Sequence, residues 1–141
     1  MVVFETPYWR VVLIDEQTYL GAAVILLKRE LSESLSDIFN DEWTDFLKVI
    51  KQYERIVKAT FGATMFNWFC LMNNAYQNDP PNPHVHWHVR PRYRSAVVLG
   101  EETFEDPNFG HHYLPDSFRR MSPQFLDVIA ARLRSVDGIL E

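Results

Sequence analysis

This sequence has little cysteine, and its basic residues are outnumbered by acidic ones. Cys70 is the single cysteine among 141 residues, which excludes an internal disulfide and argues against a zinc site built from thiolates. Nineteen acidic residues against 14 basic ones give a net charge of −5. Binding to duplex nucleic acid is therefore not expected, because that binding needs a broad cationic face that displaces counterions.

The sequence also lacks long apolar runs, repeats and linkers. Its longest apolar run, residues 22–27, is too short to span a bilayer and predicts a buried strand. No basic start precedes a long apolar stretch, so we expect no signal peptide. Apolar residues make up 47% and charged residues 23%, which is typical of a globular protein. We therefore expect a cytoplasmic protein without a membrane partner, formed as a single domain over residues 1–141.

Hydrophobic periodicity predicts where the helices and strands lie. Residues 40–61 carry apolar side chains three and four positions apart, which predicts an amphipathic helix with Asn40 as N-cap and Gly62 as C-cap. Ser122 followed by Pro123 predicts the start of a second, shorter helix. Strands are predicted at residues 8–14, 21–27, 64–72, 84–90 and 95–99. Because the strands follow one another in hairpins and the helices are segregated, we predict an α+β fold with an antiparallel sheet, one long helix and a C-terminal helix.

Three of the five histidines alternate with apolar residues. A strand has a period of two, so His84, His86 and His88 are predicted to share one face while the Val and Trp residues between them point into the core. Neutral imidazoles in this arrangement can ligate a metal ion, or one ring can attack a substrate while its neighbours orient it and stabilise charge. A metal site would need a further His or a carboxylate, for which His111 and His112 are candidates.

A run of arginines follows the histidines and favours phosphate chemistry. Arg90 and Arg92 share the histidine face if the strand continues past Pro91. The guanidinium group suits phosphoryl oxygens because its planar donors can bind two of them at once. We therefore predict that Arg90 and Arg92 bind substrate, and a solvated strand end is the alternative.

The segment PHVHWHVRPR resembles the signature of the histidine triad (HIT) family of nucleotide hydrolases and transferases. The likeness covers residues 8–92 and includes two apolar strands, the Lys-Arg pair after them and the long helix. Arg90 departs from the signature, which has an apolar residue at that position. His88 favours the hydrolases, because the transferases of the family tend to carry Gln there. The resemblance implies a HIT-like fold, a nucleotide substrate, a homodimer, and no metal or cofactor.

The resemblance also assigns roles to the three histidines. His86 would attack the α-phosphorus of a nucleotide and form a nucleotidyl-histidine that water hydrolyses. His84 would orient the ring of His86 by hydrogen bonding, and His88 would contact the phosphate and stabilise negative charge in the transition state. The implied activity is hydrolysis of nucleotide phosphoanhydrides or phosphoramidates, similar to that of the diadenosine polyphosphate hydrolases.

Binding residues follow from the same resemblance. Asn73, with Asn74 beside it as the alternative, matches a residue that contacts the phosphate region. Asp15 matches a residue that holds the ribose hydroxyls. Gln77 and Asn82 lie in the loop before the histidines, where relatives carry Gly-Gln, and this loop is predicted to contact the leaving group.

Departures from the family keep other functions open. Ala22 stands where relatives often carry a histidine, and Pro81 replaces a short polar residue. His111 and His112, in the irregular segment 101–120, are candidates for a substitute donor. The alternatives to a hydrolase are a nucleotide-binding module with weak or no catalysis and a His-rich metalloenzyme.

Overall fold

An antiparallel sheet of five strands and one long helix form the frame of the molecule, as the predicted α+β fold requires. The computed structural model describes residues 1–112, 118–136 and 138. In chain order, the elements are β1 (Val2–Glu5), β2 (Trp9–Leu13), β3 (Ala23–Leu27), α1 (Asn40–Phe61), β4 (Met65–Phe69), β5 (His86–Arg92), β6 (Val97–Leu99), β7 (Glu102–Phe104) and α2 (Pro123–Arg134). Single turns of 3₁₀ helix lie at Leu35–Asp37 and Asn74–Gln77. The strand order is β1-β2-β3-β5-β4, so the strand that carries the histidines lies between two others.

The helix α1 spans the predicted residues, but its N-terminal cap differs from the prediction. Gly62 ends the helix in the left-handed conformation at φ 74°, which costs a glycine little. At the other end Phe39, not Asn40, is the cap residue. The buried carboxylate of Glu42 accepts the Phe39 N–H at 2.8 Å and pairs with Arg29 at 2.7 Å. The prediction of Asn40 as N-cap is therefore wrong: the cap residue has no capping side chain, and Glu42 instead accepts the N–H of that residue.

Aromatic rings join α1 to one face of the sheet. The ring of Phe46 lies 4.8 Å from Trp9 and 5.2 Å from Trp87, measured between centroids. Trp68 meets the same ring edge-on at 6.0 Å. Such pairs add stability beyond that of the buried area itself. The helix α2 packs against β1 and α1, so the opposite face of the sheet, the outer face, is left for other groups.

The histidine strand is displaced by two residues from its predicted position. The sequence predicts residues 84–90, whereas β5 begins at His86 and continues through Pro91. The N–H of Val85 donates to the carbonyl of Ser32 at 2.8 Å, and the Val85 carbonyl accepts the N–H of Leu27 at 3.1 Å. His84, the residue before Val85, therefore lies beside the end of β3 and just outside β5.

Four other strands differ from the prediction. The sequence does not predict β1, nor β7, which lies within the segment 101–120 expected to be irregular. β4 ends at Phe69 rather than at residue 72, and Met72 itself has a positive φ of 57°, which a strand does not adopt. β6 does not extend the main sheet, as residues 95–99 were expected to do. It pairs with β7 across a turn at Gly100, whose φ of 63° suits a short hairpin. β6 and β7 thus form a separate sheet of two strands.

Candidate active site

The outer face of β5 gathers the candidate catalytic side chains. His86, His88 and Arg90 alternate along this face, and the residues between them face the helix as predicted. The antiparallel register sets His88 opposite Val24 of β3 and Phe69 of β4. The histidines therefore lie in a half-buried and partly apolar environment, in which electrostatic interactions are stronger than in open water.

The ring of His86 is oriented by one hydrogen bond. Its Nδ1 lies 2.8 Å from the backbone carbonyl oxygen of His84. A carbonyl oxygen only accepts, so in the neutral ring Nδ1 carries the proton and Nε2 carries the lone pair. The tautomer is thus inferred from its partner. An imidazole held in this way presents Nε2 as a nucleophile.

His84 reaches His86 through its backbone and not through its ring. The His84 ring turns towards β3, where its Nε2 donates to the carbonyl of Leu27 at 2.5 Å. That contact fixes the chain immediately before β5. The orienting bond predicted for His84 therefore comes from its carbonyl group, and its side chain anchors that carbonyl.

Burial keeps His88 neutral. Its ring stacks on Phe69 with centroids 4.9 Å apart and planes 6° apart, and it lies 5.0 Å from the ring of His86. Desolvation lowers the pKa of His88 to about 4, and the charges of His86 and Arg90 act in the same direction. At pH 7 this ring has one N–H to donate. A phosphate anion beside it would favour the protonated form.

Arg90 remains on the outer face beside the histidines. Its guanidinium group lies over the ring of Phe69 at 5.1 Å and 3.8 Å from the carboxylate of Glu16. The location agrees with the predicted sharing of one face by the histidines and Arg90. A substrate contact by Arg90 stays a prediction that this geometry permits.

Arg92 has a structural role in place of the substrate contact predicted for it. The residue is 1% exposed, and its guanidinium forms a two-pronged pair with Asp106 at 2.6 and 3.0 Å. Its other donors reach the side chain of Asn67 and the carbonyls of Asn108 and His111. The outer face extends to Arg92 as predicted, but the later segment covers it there. The sequence offers no local signal for this, because the partner lies 14 residues away.

Asp15 lies in the loop between β2 and β3. Its Oδ2 accepts from Nη1 of Arg120 at 2.6 Å in an exposed pair. Gln17 shapes the same loop, because its fully buried amide donates to the carbonyls of Ile14 and Ala22 at 2.8 Å each. Sequence analysis missed Gln17, since a polar residue in a turn is ordinarily solvated. A ribose contact by Asp15 stays a prediction.

The amides predicted to contact phosphate lie on the segment between β4 and β5. Asn73 is exposed and precedes the 3₁₀ turn Asn74–Gln77, and its carbonyl accepts the N–H of Tyr76 at 3.1 Å. Asn82 and His84 line a cavity of about 320 Å³. The structure thus places Asn82 beside His84, just before β5, and the roles of these amides as ligand contacts stay predictions.

The two later histidines also reach the outer face. The segment 106–112 is bound by Arg92, so that His111 and His112 lie beside Phe69 of β4. Together with other β4 residues they line a cavity of about 410 Å³. They therefore lie on the β4 side of β5. The histidine that relatives often carry at position 22 would lie on the other side, next to β3.

The described histidines do not assemble into a recognisable metal site. Across residues 1–112, 118–136 and 138, no three His, Cys, Asp or Glu side chains are grouped so as to hold a metal ion. The rings of His84 and His86 instead direct a nitrogen at backbone carbonyls. The metalloenzyme alternative thus has no ligand set in this part of the chain.

The strand order and the three histidines together match a known family. The model of the HIT domain matches residues 1–95. This chain belongs to the HIT family. Membership of the HIT family supports a function of the nucleotide-binding or nucleotide-hydrolase type. The strands β6 and β7, the helix α2 and the wall of the cavity that carries His111 and His112 lie beyond the matched HIT region, whereas the β4 wall of that cavity lies within it.

Solved HIT structures share the fold at low sequence identity. A HIT protein from Sinorhizobium meliloti is 13% identical with a TM-score of 0.71, and the match covers 94% of this chain and 86% of that one. A HIT-like protein from Bartonella henselae, described as involved in cell-cycle regulation, is 19% identical with a TM-score of 0.65, covering 94% and 83%. A histidine triad protein from Bradyrhizobium japonicum is 15% identical with a TM-score of 0.66, covering 95% and 87%. Such identities show the fold alone, and comparison with functionally curated proteins gives no match.

Proposed function

We propose that this HIT protein hydrolyses nucleotide phosphoanhydrides or phosphoramidates, with dinucleoside polyphosphates among its substrates. The hydrogen bond between His86 Nδ1 and the carbonyl of His84 carries the proposal. It leaves the lone pair on Nε2, as an attacking imidazole requires. The reaction runs through a nucleotidyl group on His86 and uses no cofactor or metal.

The proposed reaction has two displacement steps at one phosphorus atom. In the first, the Nε2 lone pair of His86 forms a bond to the α-phosphorus, and the bond to the leaving group breaks with its electron pair. In the second, water attacks the same phosphorus, the P–N bond breaks, its electron pair returns to His86, and the water proton is released. A phosphate departs as an anion, whereas an amine takes up a proton as it leaves.

Negative charge on the phosphoryl oxygens would be met by His88 and Arg90. Both lie on the outer face beside the attacking ring. The neutral His88 donates one N–H, and the guanidinium of Arg90 suits two oxygens at once. Donors that are already in place lower the barrier, because they need no rearrangement as charge develops.

The remaining contacts of the substrate are proposed from the positions of polar side chains. Asp15 would accept hydrogen bonds from the ribose hydroxyls on the β2 side of the sheet. Asn73 or Asn74 would contact the phosphate from the end of the outer face where β5 begins. Gln77 and Asn82 lie in the same segment and are proposed to adjust the path of the leaving group.

A nucleotide-binding module with weak catalysis is the second candidate, and Ala22 favours it. This residue is fully buried immediately before β3. A methyl group there replaces the imidazole that relatives often carry, so the histidine network is smaller. Turnover distinguishes this candidate from the hydrolase, because both bind nucleotide.

Hydrolysis of diadenosine tetraphosphate and adenosine phosphoramidate tests the proposal. We expect wild-type protein to release nucleoside monophosphate from both, and His86→Ala to lose at least about a thousandfold in kcat while it still binds adenosine monophosphate. His84→Ala is the matched control. It keeps the carbonyl that orients His86, so it is expected to retain more activity than His86→Ala.

Mass spectrometry of quenched reactions tests the covalent step directly. Wild-type protein is expected to carry one nucleotidyl group on His86, and His86→Ala none. Tight nucleotide binding with no turnover and no adduct would favour the binding module over the hydrolase.

We also infer a homodimer and a cytoplasmic location, as the resemblance and composition predict. Exposed apolar side chains at Phe39, Trp43 and Leu47 of the α1 region support a second copy as partner. Sedimentation equilibrium is expected to give twice the chain mass for wild type and a smaller mass for Leu47→Lys.

Among the residues that the structure describes, no helix is both long and apolar enough to cross a membrane.

A further inference from the structure

The outer face has a second concave feature on the β4 side of β5. A cavity of about 410 Å³ opens between β4 and the segment 106–112. Sites for small ligands range from about 300 to about 1,000 Å³, so its size suits a ligand. Its walls include Met65, Asn67, Phe69, Gly110, His111 and His112.

A buried ion pair fixes the segment 106–112 over the end of β5 and so creates this cavity. Arg92 pairs with Asp106 at 2.6 Å and donates to the carbonyl of His111 at 3.0 Å. The same guanidinium donates to the side chain of Asn67 on β4 at 3.0 Å. One buried side chain thus connects both walls. The backbone therefore sets the position of the two histidines, independently of their own side-chain contacts.

Phe69 connects the cavity to the triad. Its ring forms part of the cavity wall and stacks on His88 at 4.9 Å, and Arg90 lies over it at 5.1 Å. A phosphoryl group held at His86 and His88 is therefore adjacent to the cavity. Asp15 lies on the other side of β5, beyond β3. A nucleoside at Asp15 and a group in the cavity would flank the reacting phosphorus from opposite sides.

The hydrogen-bonding groups in and beside the cavity suit an anion. His111 and His112 are exposed in its wall. Arg94 packs against the same segment, with its guanidinium 4.9 Å from an aromatic ring there. Asp106, the acid of that segment, is paired with a buried arginine. Asp106 is the one acid within residues 106–112, so the imidazoles and the nearby guanidinium suit phosphate better than a cationic ligand.

We propose that this cavity is the subsite for phosphate-bearing leaving groups, with His111 and His112 binding their oxygens. The inference rests on the proposed function of the triad. When His86 attacks, the bond between the α-phosphorus and the bridging oxygen breaks, the oxygen keeps the electron pair, and its negative charge faces the two imidazoles. Ammonia released from a phosphoramidate carries no such charge. The two histidines therefore determine specificity between these substrate classes.

Two substrates with different leaving groups separate the subsite from the reaction itself. Diadenosine tetraphosphate releases a nucleotide, and adenosine phosphoramidate releases ammonia. In kcat/KM we expect His111→Gln/His112→Gln to lose at least about tenfold on the first and less than about twofold on the second. Glu105→Gln is the matched control, because Glu105 is exposed in the same region but lies outside the cavity wall, and it is expected to change neither value.

The outcomes distinguish this inference from the proposed function. Equal losses on both substrates, or no loss on either, would overturn the subsite while the triad reaction stands. If wild-type protein turns over neither substrate, the proposed function fails, and calorimetry with inorganic tripolyphosphate tests the cavity separately. Weaker binding by the double variant than by wild type and Glu105→Gln supports the anion subsite, and equal binding overturns it.

Discussion

The two ends of β5 use arginine in opposite ways on the same face of one strand. At the triad end, Arg90 is half-buried beside His88 and lies 3.8 Å from the carboxylate of Glu16. At the other end, Arg92 is 1% exposed and held by Asp106 at 2.6 Å. The first arrangement leaves room for a ligand to compete for the guanidinium. The second does not, because loss of one partner would leave a charge buried without compensation.

The difference comes from what covers each end and not from the strand itself. The segment 106–112 lies over Arg92, whereas the side chains near His86 and His88 are partly open. An alternating pattern therefore assigns a face to each residue, but the covering segment decides whether a charged residue on that face supports the fold or meets a ligand. We therefore expect substitutions at the covered end to affect stability and substitutions at the open end to affect ligand contacts.

The largest expected effect is on stability at the covered end. Arg92→Met is expected to lower the free energy of unfolding by about 3–5 kcal/mol, because it leaves Asp106 charged and buried. Arg90→Met, the matched change at the open end, is expected to cost about 1 kcal/mol or less. Urea unfolding of both variants measures the difference. Similar costs at both positions would erase the distinction between the ends.

A smaller effect on stability is expected at Phe69, which lies between the triad and the segment 106–112. Phe69→Ala is expected to lower the unfolding free energy by about 1–2 kcal/mol through loss of stacking and burial. It should also raise the pKa of His88 towards 6.5, since water then reaches the ring. Titration of the imidazole by nuclear magnetic resonance measures this, with Phe69→Leu as the apolar control. An unchanged pKa in Phe69→Ala would show that Phe69 does not shield His88.

Lowering the pH is expected to reduce the free energy of unfolding through His88, at the open end of β5. The pKa of His88 is about 4 in the folded chain and near 6.5 when the ring is solvated, so between these values the unfolded chain binds more protons. The unfolding free energy should therefore fall as pH is lowered from 6.5 towards 4, and this contribution levels off below 4. His88→Asn should remove it. Urea unfolding at pH 7 and pH 5 compares the two proteins, and identical pH dependence would contradict the assignment.

The smallest effect on stability is expected at the exposed pair of Asp15 and Arg120. Replacing either residue by Ala should change the unfolding free energy by less than about 1 kcal/mol, since solvent-exposed ion pairs contribute little. Their kinetics should differ. Asp15→Ala is expected to raise KM for nucleotide substrates with kcat nearly unchanged, and Arg120→Ala to leave KM as it is. Equal KM values for the two variants would remove Asp15 from the nucleoside site.

Local patterns were sufficient for the parts of the molecule that depend on neighbours in sequence. The span of α1 follows from apolar spacing, and its end follows from Gly62, whose backbone conformation suits that residue. The shared face of His86 and His88 follows from the period of a strand. Ser122 caps α2 as predicted, with its side chain accepting the Phe125 N–H at 3.2 Å.

The remaining features depend on contacts between distant parts of the chain. Arg92 meets Asp106 and not phosphate because of a loop that no periodicity describes. The bond that orients His86 comes from a backbone carbonyl, which every residue type possesses, so the identity of residue 84 does not reveal it. Gln17 is buried only because the loop closes around it. In each case the role of the residue depends on a partner that is close to it only in the folded chain.

All four tryptophans of the chain lie on the α1 side of the sheet or on α1 itself. Trp9 donates to the carbonyl of Glu42 at 2.8 Å, and Trp68 donates to the carboxylate of Glu54 at 3.0 Å, both within the helix. Intrinsic fluorescence will therefore report on the docking of the helix, and through Trp68, which also lines the cavity beside His111, on a ligand held there. A ligand that occupies the triad without entering that cavity calls for labelled nucleotide or calorimetry as the readout.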